Sequence, residues 1–211
     1  MLEHFQAGLE TLYRISTKVD IRQFIIDSAK RDAMGVAHLP REQLLLAQTG
    51  DDLELGLFVD DAALANLKER DPRQTLDGEN LQDFLLTLEG VSHFVYAVWR
   101  AQGERPFSAL ELELQAEVDK YVTCLLMMWP QQGSPPADLR KRLFERIEFA
   151  SDLAPDEHER YTLANDNAAA YAASLEARYV SNGNIADMLD ELRRFYRLGA
   201  QEKFAHIGKA A

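Results

Sequence analysis

What this chain lacks narrows it first. A single cysteine, Cys124, in 211 residues excludes an internal disulfide and any zinc site built on paired thiolates. As a small apolar residue inside a helical pattern, Cys124 reads as core. Seven prolines and eleven glycines are too few for a collagen-like repeat or a low-complexity scaffold. With 46% hydrophobic and 9% aromatic residues, the composition is that of a globular chain. The longest apolar run, Val122 to Trp129, is well short of the roughly 18 residues a membrane-spanning helix needs. Glu3, His4 and Glu10 interrupt the N-terminus, which therefore lacks the basic start and apolar stretch of a signal peptide. The expectation is a cytoplasmic protein with no membrane contact.

Positive charge is also scarce, 23 Lys and Arg standing against 35 Asp and Glu for a net charge of −12. Residues 1–136 hold 12 basic and 22 acidic side chains, whereas residues 137–211 hold 11 and 13. Such a field repels nucleic acid and anionic lipid. The basic runs Arg140-Lys141-Arg142 and Arg193-Arg194 with Arg197 read as solvated helix faces, with a phosphate-binding strip as the competing reading. Nucleic acid is therefore not an expected partner. No P-loop, dinucleotide fingerprint, His-Glu-x-x-His pair, EF-hand loop or nucleophile elbow occurs, which removes only the families that require one.

What is present is periodicity. Leu2, Phe5, Leu9 and Leu12 recur at helical spacing, so residues 2–16 predict an amphipathic helix that docks on the body or on another chain. Residues 19–26 predict a strand, with a helix through Arg31 as the competing reading. Residues 43–48 and 53–59, flanking Thr49-Gly50-Asp51-Asp52, predict a hairpin with Leu53, Leu55, Leu57 and Val59 on one face. Asp60 or Asp61 can cap a short helix over 62–67, and 72–78 reads as loop. Asn80 opens a helix that Gly90 closes, and the β-branched and aromatic run Ser92 to Trp99 predicts a strand. Ser108 and Glu111 form a capping box at the head of a long helix that stops at Pro130. Leu110, Leu114, Val118, Tyr121, Leu125 and Met128 make its apolar stripe. Helices over 136–149, 156–180 and 184–198 follow, Asn182-Gly183 turning the chain between the last two, and a final short helix is expected after Gly199.

Three constellations could carry chemistry. Glu111, Glu113, Glu117 and Asp119 lie on the long helix, Glu113 and Glu117 one turn apart, and a histidine such as His93 brought beside them would complete a divalent metal site. The competing reading has Glu111 capping, Glu113 and Glu117 in water beside Lys120, and His93 packed. Asp156, Glu157, His158, Glu159 and Arg160 could form an acid–base group or simply a helix start whose carboxylates answer the dipole. Phe94, Tyr96, Trp99, Trp129, Phe195, Tyr196 and Phe204 could line a pocket or groove, or fill the core.

The sequence thus predicts a helix-dominated α+β protein. Residues 1–130 form a domain with a small, mostly antiparallel sheet flanked by helices; 131–136 is a linker; 137–211 is a helical bundle that can pack on the first domain. The expected function is that of a non-catalytic interaction protein, an adaptor or regulatory subunit, with a protein partner or self-association and no cofactor. The alternative is a metal-assisted hydrolase using Glu113, Glu117 and His93.

Overall fold

The computed structural model describes residues 1–33, 40–49, 52–145 and 153–210. Within them the chain is a helix-dominated α+β protein with one two-stranded antiparallel sheet. It divides into two compact units: Met1–Glu10 with Ile15–Arg105, and Thr11–Arg14 with Pro106–Ala211. The segment 131–136 lies inside the second unit. No helix among the described residues is long and apolar enough to cross a membrane.

In the first unit, helix α1 (Leu2–Tyr13) buries Leu2, Phe5 and Leu9, and Phe5 meets Phe84 edge-on with ring centroids 5.3 Å apart. Gln6 secures the chain after the helix: its Nε2 donates to Thr17 Oγ1 (2.9 Å) and Val19 O (2.7 Å), and its Oε1 accepts from the Ile21 amide (3.1 Å). The strand expected over 19–26 is instead a 3-10 helix, Ile21–Phe24, started by the Asp20 carboxylate accepting from the Arg22 amide. Only Ile25 forms an isolated parallel bridge, to Leu57. A helical turn wins here because an aspartate cap precedes it and Ile21 alone needs burying. Helix α2 (Ser28–Ala33) follows and places Arg31 4.0 Å above the Phe58 ring.

Strands β1 (Glu42–Thr49) and β2 (Asp52–Val59) form the predicted hairpin, with Leu44 opposite Leu57 and Leu46 opposite Leu55. Its turn residues Gly50 and Asp51 lie outside the described residues. Asp60 caps helix α3 (Asp61–Glu69) by accepting from the Ala62 amide at 2.8 Å. Arg41 then ties Asp60 (2.6 Å) to Asp83 (3.0 Å) on helix α4 (Leu81–Gln102).

Helix α4 corrects two expectations. The segment 92–99 is its second half, not a strand, because Ser92 through Val98 are all buried. A helix covered on every side shows no amphipathic period, and its β-branched and aromatic residues imitate a core strand. Gly90 does not end the helix either. It sits mid-helix where Glu42 and Leu57 approach: a Cβ there would stand 2.8 Å from Glu42 Cγ and 3.0 Å from Leu57 Cδ1. Glycine is kept for close approach, not for a left-handed turn.

In the second unit, helix α5 (Ala109–Gln132) begins at Ser108, whose Oγ accepts from the Glu111 amide at 3.2 Å. Leu114, Val118, Tyr121, Leu125 and Met128 are buried as the stripe requires. The helix passes through Pro130 and ends at Gly133, which adopts φ +74 while its amide bonds Trp129 O at 2.9 Å. Pro130 is tolerated because it falls in the last turn, where a left-handed glycine already provides the termination.

Helix α6 (Leu139–Phe144) occupies the start of the expected 136–149 segment, the end of which lies outside the described residues. Helix α7 (Pro155–Arg178) lies against α5 with Ala164, Ala168 and Ala172 buried four residues apart. The 3-10 turn Val180–Asn182 and left-handed Gly183 lead into helix α8 (Ile185–Arg197), followed by helix α9 (Ala200–Ala210).

Candidate functional site

The foot of the hairpin, in the first unit, gathers the most chemistry around one short stretch of helix. His93 is 7% exposed, and its Nδ1 lies 3.7 Å from Glu42 Oε1, the first residue of β1. Glu89 stands one turn earlier on α4, and its carboxylate and the imidazole present ligand atoms within 4.8 Å of each other. Glu42 reaches the helix only because residue 90 has no side chain. Glu42 and Glu89 were not singled out in the sequence. An E-x-x-x-H spacing becomes a one-face pair only once 81–102 is known to be a continuous helix.

Glu113 and Glu117 belong to the second unit. Glu113 is buried with its Oε1 3.8 Å from Arg160 Nε of α7. Glu117 accepts from Lys120 Nζ at 2.7 Å. Around them α5 carries a buried polar chain. The Tyr13 hydroxyl donates to Asp119 Oδ1; Gln115 Nε2 donates to Asp119 Oδ1 (2.8 Å) and the Tyr13 hydroxyl (3.2 Å); and the fully buried Lys203 donates to Gln115 Oε1 at 2.6 Å. Burial, then the neighbouring Asp119 charge, raises the Tyr13 phenol well above its ordinary range.

A second cluster surrounds Glu191, 2% exposed. Its Oε1 lies 2.5 Å from His206 Nε2 and accepts from the Tyr171 hydroxyl at 3.4 Å, while Oε2 accepts from Arg194 at 3.0 Å. Burial and the Glu191 charge hold Tyr171 protonated far above its ordinary pKa. Each group bonds to another protein group, as satisfied buried networks must. Cys124 is fully buried, which pushes its thiol up to about 12 and leaves no nucleophile at neutral pH.

The basic run on α8 has a local task. Arg193 donates to Leu12 O (3.0 Å), and Arg197 donates to Tyr13 O (3.0 Å) and Arg14 O (3.3 Å). These are carbonyls at the end of α1, which no further helical turn satisfies. His158 sits in the first turn of α7, where Thr162 donates to its carbonyl at 2.8 Å. Of the aromatics, Phe94, Tyr96, Phe195 and Tyr196 are core. Trp129 is partly exposed in an open apolar hollow of about 440 Å³ with Leu126, Pro130, Gly133 and Ile185.

The hairpin has an outward-directed edge. Its register alternates hydrogen-bonded and open pairs; Asp60 N donates to Arg41 O and Ile26 N to Leu57 O. The backbone groups of Leu44 and Leu46 are therefore directed away from β2. Leu46 is 41% exposed, one of three large hydrophobic residues so exposed among the described residues. Compared with protein-family models, curated proteins and solved structures, the chain matches none.

Proposed function

We propose that this protein is a non-catalytic interaction protein whose hairpin receives an extended segment of a protein partner along β1. The observation that carries the reading is the outward-directed edge of β1 with exposed Leu46. A strand added along β1 supplies both backbone hydrogen bonds and apolar cover. Residues 43–59 contain Asp51, Asp52 and Glu54 and no Lys or Arg. Charge complementarity therefore favours a basic segment over a second, equally acidic copy of the hairpin.

The test compares wild type with Leu46→Lys in affinity purification from the native host, with circular dichroism confirming equal folding. One stoichiometric partner held by wild type and lost from the variant is the expected result. Equal recovery by both proteins defeats the proposal. Light scattering on the same samples separates the remaining outcome, in which an oligomer of this chain dissociates on substitution.

A further inference from the structure

The two faces of the hairpin differ in chemistry toward its turn. We infer, resting on the reading of β1 as a docking edge, that the segment it receives alternates apolar with basic residues: the apolar ones cover Leu44 and Leu46, and a basic one opposite Ala47 pairs with Glu54.

The register supplies the first part of the argument. Cross-strand partners share a face, and successive residues alternate between faces. Leu44 with Leu57 and Leu46 with Leu55 therefore lie on one face, whereas Leu45 with Gly56 and Ala47 with Glu54 lie on the other. Where α4 and Ile26 pack, both faces are covered. Leu57 is fully buried, its Cδ1 3.0 Å from where a Gly90 Cβ would stand, and Ile26 Cγ2 lies 3.4 Å from where a Gly56 Cβ would stand. Toward the turn the cover ends: Leu46 is exposed on the first face, Ala47 and Glu54 on the second.

The edges supply the second part. On β2 the edge is already met by Ile26, whose amide donates to Leu57 O at 3.0 Å. On β1 the backbone groups of Leu44 and Leu46 are directed away from β2, so an added strand bonds to these two residues. Its side chains opposite Leu44 and Leu46 then fall on the leucine face, and those opposite Leu45 and Ala47 fall on the face of Glu54.

Glu54 supplies the third. It is exposed, and among the described residues no hydrogen bond or ion pair holds its carboxylate. A residue opposite Ala47 on the added strand stands two strand spacings from Glu54, about 10 Å, with only the alanine methyl between them. Extended lysine and glutamate side chains span that interval, the lysine stem lying over Ala47 while its ammonium meets the carboxylate. An acidic residue in the same place is repelled.

The experiment titrates the full chain with three capped heptapeptides, followed by backbone resonances: lysine alternating with valine, glutamine alternating with valine, and the lysine peptide's residues rearranged into one block of each kind. Saturable shifts at Leu44 and Leu46 with the lysine–valine peptide, tighter than with either other peptide and abolished in Leu46→Lys, are expected. Glu54→Gln should cut the advantage of lysine over glutamine by about 2–5-fold, the worth of an exposed ion pair. Asp61→Asn, an exposed carboxylate on α3, should leave that advantage unchanged, which separates the pair from net charge. Binding at Leu44 and Leu46 whose preference survives Glu54→Gln, or equal binding of the blocked peptide, overturns this inference and leaves the docking edge standing. Shifts centred elsewhere, or no saturable shift with either alternating peptide, overturn both.

Discussion

Lys203 has no solvent exposure, yet its ammonium reaches Gln115 Oε1 at 2.6 Å, and Gln115 in turn donates to Asp119 and Tyr13. An amide placed between two charged residues relays hydrogen bonds without competing for either charge, which keeps the chain satisfied in a low-dielectric interior. Replacing Tyr13 with Phe removes one of two side-chain donors to Asp119 Oδ1, the other being Gln115. It should cost about 1.5–3 kcal/mol, the range for a hydrogen bond to a charged group, read as a lower urea midpoint. Cys124 permits a second test at this scale. Its buried, protonated thiol should not react with a disulfide reagent at pH 8 in the native protein and should react fully in denaturant; prompt native labelling contradicts the buried placement.

The elements show how far the sequence could be read. The hairpin, the Ser108 cap and the stripe on α5 were legible because alternation, capping chemistry and 3.6-residue spacing are local signals. Ser108→Ala should accordingly destabilise by about 1 kcal/mol, measured by thermal or urea denaturation. Helix α4 was illegible in its second half because His93, Phe94, Val95 and Tyr96 are all buried, and uniform burial erases the period that distinguishes helix from strand. That error also concealed the E-x-x-x-H pair. Glu42 could not have been placed beside it, since the 50 residues between Glu42 and His93 leave no local trace of the contact. Gly90→Ala tests the element directly. Despite alanine's higher helix propensity, overpacking against Glu42 and Leu57 should give a net loss on the order of 1–3 kcal/mol; a stabilised variant would show that the hairpin yields easily.

For the whole molecule, charge sets behaviour in solution. With a net charge of −12, and with Arg193 and Arg197 engaged by the carbonyls ending α1, no salt-dependent affinity for duplex DNA is expected at physiological ionic strength. Fluorescence anisotropy with a labelled duplex checks this, and binding that weakens steeply with added salt would contradict it.

Alkali should act on the second unit, which holds Cys124, Tyr13, Tyr121 and Tyr171. Burial raises all four above their ordinary values, with the neighbouring carboxylates adding to the three tyrosines. The unfolded chain ionises first, so stability from these groups is complete below about pH 9 and is lost as pH rises. Cys124 acts from its ordinary 9.0 toward about 12, and the tyrosines act from 10.0 upward. Each contributes a slope of about 1.4 kcal/mol per pH unit. Urea midpoints that stay level from pH 9 to 11 would contradict this, and Cys124→Ala should delay the onset toward pH 10.

The Tyr13, Gln115, Asp119 and Lys203 chain also has a historical consequence. Each of the four hydrogen-bonds to another, so a lone replacement removes a bond from a buried neighbour, whereas a concerted exchange for apolar residues of similar volume removes donor and acceptor together. Descent with modification should therefore keep the quartet or replace it as a set. Sequences related to this one should show correlated substitution at positions 13, 115, 119 and 203, two of them near opposite ends of the chain and all far weaker in covariation with the solvent-facing positions beside them.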